Sequence, residues 1–183
     1  NVAILGSGSW ATALAKIVLN NVDEIHWFIR KQETIDEFIE NRRNPKHLEW
    51  AYFDTSKIYF STDINEVLDL SNTIILAIPS PYVKSCLDDI TIDISGKRII
   101  SAVKGMIPDE NILVTDYLHQ HYGIPEENLG IVAGPCHAEE IALERLSYLT
   151  LGCTNLDNAN LWSQLLTTKY VHVTSSNDVV GLE

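Results

Sequence analysis

Gly6 and Gly8, followed by Ala11, form a G-x-G-x-x-A pattern directly after the apolar run "VAIL" and directly before the helical stretch "WATALAKIVL". At this spacing the first glycine makes a tight turn and the second lets the backbone approach a pyrophosphate. The third, small residue lets the helix pack close to the strand. The helix N-terminus, with Ser7, Ser9 and Trp10 around it, offers free N–H groups and a partial positive charge to phosphates. Arg30 and Lys31 follow the next apolar run, "EIHWFI". A site for NAD usually has an Asp or Glu there for the ribose 2′-OH, whereas a cation suits a 2′-phosphate, so NADP is favoured or at least tolerated. Lys104 follows "RIISAV". It is a compact cation able to neutralise a phosphate or polarise a substrate oxygen. The plain alternatives are a simple turn, a solvated basic pair and a surface lysine.

Other reactive residue types carry less. Cys136 and His137 are neighbours, but a nucleophile pair needs its side chains in reach, and adjacency in sequence does not secure that. His119 and His121 are two apart on a helical stretch, so they do not share a face and no metal site is expected. Trp162 and Leu166 stand at core spacing and read as packing.

The elements that must position these residues follow from the apolar pattern. Strands are expected at "NVAIL", "EIHWFI", "KIYFST", "NTIILAI", "RIISAV", "NLGIVAG", "YLTLGC" and "YVHVTS". Helices are expected at "WATALAKIVLNN", from Gln32 to about Arg43, at "DINEVLDL" capped by Asp63, "PSPYVKSCLDDI", "NILVTDYLHQHY", "CHAEEIALERL" and "NANLWSQLLTT". Nearly continuous apolar runs such as "NTIILAI" suit strands buried on both faces of a parallel sheet. The alternation implies an α/β fold of Rossmann type: a doubly wound, mostly parallel sheet with helices on both faces. Arg30, Pro79, Lys104 and Gly134 all follow strands, so they are expected along one sheet edge, where such folds bind ligands.

The chain has 183 residues, 45% hydrophobic and 21% charged, enough for one domain with a substantial core. A formal net charge of −12 argues against a nucleic-acid partner. No apolar run approaches the ~20 residues of a membrane span. Three widely spaced cysteines, with no C-x-x-C, fit reduced thiols in the cytoplasm. The chain starts inside a strand at Asn1, so an initiator Met and a few residues are expected upstream, and "DVVGLE" reads as an approach to another element.

Five motifs in order, "GSGSWATALA", "NRRNPKHL", "LAIPSPYV", "SAVKGM" and "AGPCHAEEIA", together resemble the N-terminal, cofactor-binding domain of bacterial NAD(P)-dependent glycerol-3-phosphate dehydrogenase. The resemblance spans residues 1–183. It implies reduction of dihydroxyacetone phosphate to sn-glycerol 3-phosphate with NADP or NAD, serving glycerophospholipid synthesis. It implies cofactor contacts from Ser9, Trp10, Arg30, Lys31, His47, Tyr82, Lys104 and Ala138, beside Gly6, Ser7, Gly8 and Pro79, and substrate contacts from Lys104, Gly134 and Cys136. The family's proton-donating lysine lies in a G-x-x-K-N motif that these residues do not contain, so no catalytic acid is assigned here. The helical substrate domain is likewise absent, and a homodimer is one arrangement open to the full-length protein. Two positions depart from the family pattern: Cys136 and His137 replace Ser or Thr followed by Phe, and Ala11 replaces Gly. The fingerprint tolerates Ala11; the thiol of Cys136 is a weaker donor than a hydroxyl. A stand-alone nucleotide-binding module and a dehydrogenase for another hydroxy substrate are the competing readings.

Overall fold

A computed structural model describes residues 1–183. Strands β1 (Val2–Leu5), β2 (Ile25–Phe28), β3 (Ile58–Ser61), β4 (Thr73–Leu76), β5 (Arg98–Ser101), β8 (Leu129–Ala133), β9 (Ser147–Cys153) and β10 (Val171–Ser176) form one 8-stranded sheet. A separate hairpin pairs β6 (Met106–Ile107) with β7 (Ile112–Leu113). The helices are α1 (Ser9–Val18), α2 (Gln32–Asn41), α3 (Ile64–Asp69), α4 (Ser80–Leu87), α5 (Val114–Tyr122), α6 (Ala138–Ala142), α7 (Leu156–Leu166) and α8 (Val179–Leu182).

The strand order is β10-β9-β8-β5-β4-β1-β2-β3. From β1 the chain winds outward one way through β2 and β3, then returns to β4 and winds the other way. The switch point therefore lies between β1 and β4, where open α/β sheets bind ligands beyond the strand ends. Alternate residues of β1 feed opposite faces, because side chains in a strand alternate. Val2 and Ile4 join a cluster of 33 buried residues with α1, α2, α6 and α7, while Ala3 and Leu5 join one of 20 with α3, α4 and α5.

Every expected strand is present, and Asp63 caps α3 by accepting from the Asn65 N–H at 2.9 Å. Three differences have local causes. "NILVTDYLHQHY" was expected to be helical from its start, but Ile112 and Leu113 are strand and the helix begins at Val114. Left-handed Asp109 and Asn111 turn the hairpin there, and its Ile107 is fully buried. The helix expected across "CHAEEIALERL" runs only from Ala138 to Ala142, because Glu144 turns left-handed at φ 58°. That short helix, roughly 7.5 Å long at 1.5 Å per residue, does not carry the chain back along the sheet. β9 therefore starts at the end where β8 stops and pairs with it antiparallel, Ala133 opposite Thr150.

Candidate functional site

The glycine loop leaves β1 at the switch point. Gly6 has φ +117°, and a Cβ on it would stand 2.3 Å from the Ala77 carbonyl oxygen just past β4. Only glycine lets these two strand ends come so close. Gly8 precedes α1 with extended backbone, and nothing lies within 4 Å of where its Cβ would be. Space over Gly8 is what the close approach of a ligand to the backbone requires.

Each carbonyl of the loop is turned away from that space by a side chain. Trp27 Nε1 donates to Gly6 O at 2.7 Å, Asn44 Nδ2 to Ser7 O at 2.9 Å, and Thr12 Oγ1 to Gly8 O at 2.8 Å. Trp27 is fully buried among Phe38, Phe53 and Phe60 and does not move freely. The amides at the start of α1, which have no acceptors within the helix, remain to face an anion.

A cleft lies on each side of the loop. The first, about 200 Å³, is lined by Ser7, Arg30, Lys31, Thr34, Lys46 and His47, beside Ile29 and Asn44. No carboxylate lines it, and the cations come from the end of β2 and from the "NPKHL" loop. His47 Nδ1 lies 3.2 Å from Ser9 Oγ, joining that loop to the first turn of α1. The second cleft, about 360 Å³, is lined by Gly8, Ser9, Trp10, Pro79, Ala102 and Lys104, among others. The Lys104 ammonium sits 5.9 Å from the centre of the Trp10 ring, within cation–π range. Pro79 precedes α4 and accepts from the Tyr82 N–H at 2.9 Å.

The expected residues do not all converge. Gly6, Ser7, Gly8, Ser9, Trp10, Arg30, Lys31, His47, Pro79 and Lys104 line the loop and its two clefts. Tyr82 is 62% exposed on α4 and lines neither cleft. Gly134 packs against β9, where a Cβ would meet the Tyr148 carbonyl at 2.7 Å. Cys136 is buried and its thiol donates to that same carbonyl at 3.4 Å. Burial pushes the thiol's pKa up, against a smaller opposing pull from Lys104. A protonated, buried Cys136 beside an exposed His137 is a poor nucleophile pair. Ala138 is buried at the start of α6, in the cluster that also holds Ala11. No group of three or more His, Cys, Asp or Glu side chains is placed to share a metal ion. His119 meets the Ile124 carbonyl at 2.7 Å, and His121 stacks on Tyr117.

Asn44, Thr12, Trp27, Thr34 and Lys46 were not singled out from sequence. Asn44 and Lys46 stand inside the quoted "NRRNPKHL" motif. Thr12 is a polar residue in an otherwise apolar helical stripe, which is the signal that marks it.

The sheet order, the switch point and the loop whose carbonyls are taken up by side chains define a doubly wound domain of the Rossmann class. The sequence model described as NAD-dependent glycerol-3-phosphate dehydrogenase N-terminus matches residues 1–159, and the chain belongs to that family. A glycerol-3-phosphate dehydrogenase (NAD(P)+) of an Exiguobacterium species is 30% identical over all of this chain, which covers 54% of that protein. The solved glycerol-3-phosphate dehydrogenase of Plasmodium falciparum superposes with TM-score 0.87 at 25% identity, covering 98% of this chain and 53% of its own. That of Coxiella burnetii gives 0.84 at 21%, covering 98% and 55%, and bears on the fold alone. The chain thus spans about half the length of the relatives it matches.

Proposed function

We propose that residues 1–183 are the cofactor domain of an enzyme that reduces dihydroxyacetone phosphate to sn-glycerol 3-phosphate with NADPH or NADH. The observation that carries this reading is the glycine loop, whose carbonyls are tied back by Trp27, Asn44 and Thr12 between two clefts. The residues fit a dinucleotide: loop amides for the pyrophosphate, the basic cleft for the adenosine end and the Trp10–Lys104 cleft for the nicotinamide end. A reduced nicotinamide held there would supply the hydride for the substrate carbonyl carbon and be left oxidised.

The protein's own part is to hold and polarise. Lys104, at the mouth of the second cleft, neutralises the substrate phosphate or draws electron density onto the carbonyl oxygen, stabilising charge as it develops. The family likeness supports substrate contacts from Gly134 and Cys136 and cofactor contacts from Tyr82 and Ala138, although none of the four lines either cleft. The proton for the product hydroxyl comes from an acid that these residues lack. The chain by itself is therefore expected to bind cofactor and to turn over negligibly. A helical substrate domain, a homodimer in the full-length protein, a cytoplasmic setting and no nucleic-acid partner belong to the same proposal. No helix is long and apolar enough to cross a membrane.

The absence of a carboxylate from the basic cleft favours NADPH over NADH. Replacing Arg30 and Lys31 together by alanine is expected to weaken NADPH by about 10- to 100-fold, the scale of one or two charge-assisted hydrogen bonds, and NADH by less than about threefold. Equal losses for both cofactors would show that the pair does not read the 2′-phosphate. The substrate assignment is tested by offering the full-length enzyme rival hydroxy and keto compounds. Preference for an unphosphorylated one contradicts it.

A further inference from the structure

Asn44 is a residue of the "NRRNPKHL" loop, remote in sequence from the glycine loop, yet its side chain is 1% exposed. It makes four hydrogen bonds in two directions. Nδ2 donates to Ser7 O at 2.9 Å and to Thr12 Oγ1 at 2.9 Å. Oδ1 accepts from the Lys46 N–H at 2.9 Å and the His47 N–H at 3.2 Å. Backbone N–H groups only donate and a carbonyl only accepts, so these partners fix which way the amide points. The Thr12 hydroxyl donates its own hydrogen bond to Gly8 O at 2.8 Å, which leaves its lone pairs for Asn44.

The amide therefore ties the glycine loop, through Ser7 O and Thr12–Gly8 O, to the loop that presents Lys46 and His47 to the basic cleft. We infer that Asn44 is the positioning residue of the cofactor site, setting the pyrophosphate loop and the adenosine-side loop in register with each other. This rests on the dinucleotide reading above. Asp keeps the acceptor but loses both donors, and Leu keeps the volume but removes all four bonds, leaving part-buried groups such as Ser7 O and the His47 N–H without this partner.

The test measures binding of NADPH, which spans both halves, and of adenosine 2′-monophosphate, which reaches only the basic cleft. Asn44→Ala is expected to weaken NADPH by about 100-fold and the nucleoside monophosphate by about 10-fold, losing both sides of the network. Thr12→Val, which keeps the side-chain shape and cuts only the glycine-loop side, is expected to weaken NADPH by about 10-fold and to leave the monophosphate within about twofold. A merely structural defect lowers the bound fraction of both probes together and leaves this split unseen, so equal losses in Thr12→Val overturn the inference. NADPH binding within about twofold of the unmodified chain in the folded variants also overturns it. Should Asn44→Ala fail to fold, Thr12→Val still decides. Failure of the unmodified chain to bind NADPH overturns the dinucleotide reading itself, and is distinguished by appearing before any substitution is made.

Discussion

Gly6→Ala and Gly8→Ala, two residues apart in one loop, are expected to fail in opposite ways. At Gly6 the added methyl meets the Ala77 carbonyl oxygen at 2.3 Å and its carbon at 3.0 Å, on a backbone with φ +117°. Neither side can retreat. The Ala77 N–H donates to Leu5 O at 2.9 Å and the Gly6 N–H to Phe28 O at 3.3 Å, so both segments are held by the sheet. Unfavourable backbone geometry and overpacking each cost about 1–3 kcal/mol, so Gly6→Ala is expected to lose roughly 2–5 kcal/mol in urea unfolding. At Gly8 the φ is −77° and nothing lies within 4 Å. Gly8→Ala is therefore expected to leave stability within about 0.5 kcal/mol. Its methyl enters the space that the pyrophosphate needs, and NADPH binding is expected to weaken by about 100-fold. A stable Gly6→Ala, or a Gly8→Ala that binds normally, contradicts the placement of the loop.

Lys104→Met carries the second large effect, in the full-length enzyme. Lys104 is exposed, makes no ion pair and holds its ammonium 5.9 Å from the Trp10 ring, so folding does not depend on it. The next residue, Gly105, turns the chain at φ +87°, a conformation that favours glycine. Methionine keeps most of the stem and removes the charge. A charged donor aimed at developing negative charge is worth roughly 3–4 kcal/mol, so kcat/KM for dihydroxyacetone phosphate is expected to fall by about 10²- to 10³-fold with unfolding unchanged. Lys104→Arg is expected to recover only part of it, since the planar guanidinium does not reproduce a compact ammonium. Full activity in Lys104→Met removes the residue from the site.

Much of this was legible from residue order. The apolar runs located every strand of the main sheet, most sharply the inner β1, β2 and β4, which are buried at every position because both their faces are covered, and strand ends named the edge at which Arg30, Pro79 and Lys104 gather. Strand direction was not legible: nothing in "YLTLGC" says that β9 runs antiparallel to β8, because a strand's side-chain pattern is the same in either direction. The short α6 decides it, and its end depends on a single left-handed residue, Glu144. The hairpin before α5 was hidden for a similar reason, since "IL" in a helical stretch fits either state. Within the site, the glycines announced themselves, whereas Asn44 acts through contacts between distant segments, which no local pattern displays. The Cys136–His137 pair shows the converse. Neighbours in sequence, they face opposite environments, one buried against Tyr148 O and the other exposed.

The central claim is that the switch-point loop holds a dinucleotide. The most direct measurement is calorimetric titration of the 183-residue chain with NADPH and, separately, NADH. The account predicts saturable binding of one cofactor molecule per chain, tighter for NADPH, and weakened in Gly8→Ala. A folded chain that gives no binding heat with either cofactor at several temperatures, and no protection of the Gly6–Trp10 amides from exchange, contradicts it.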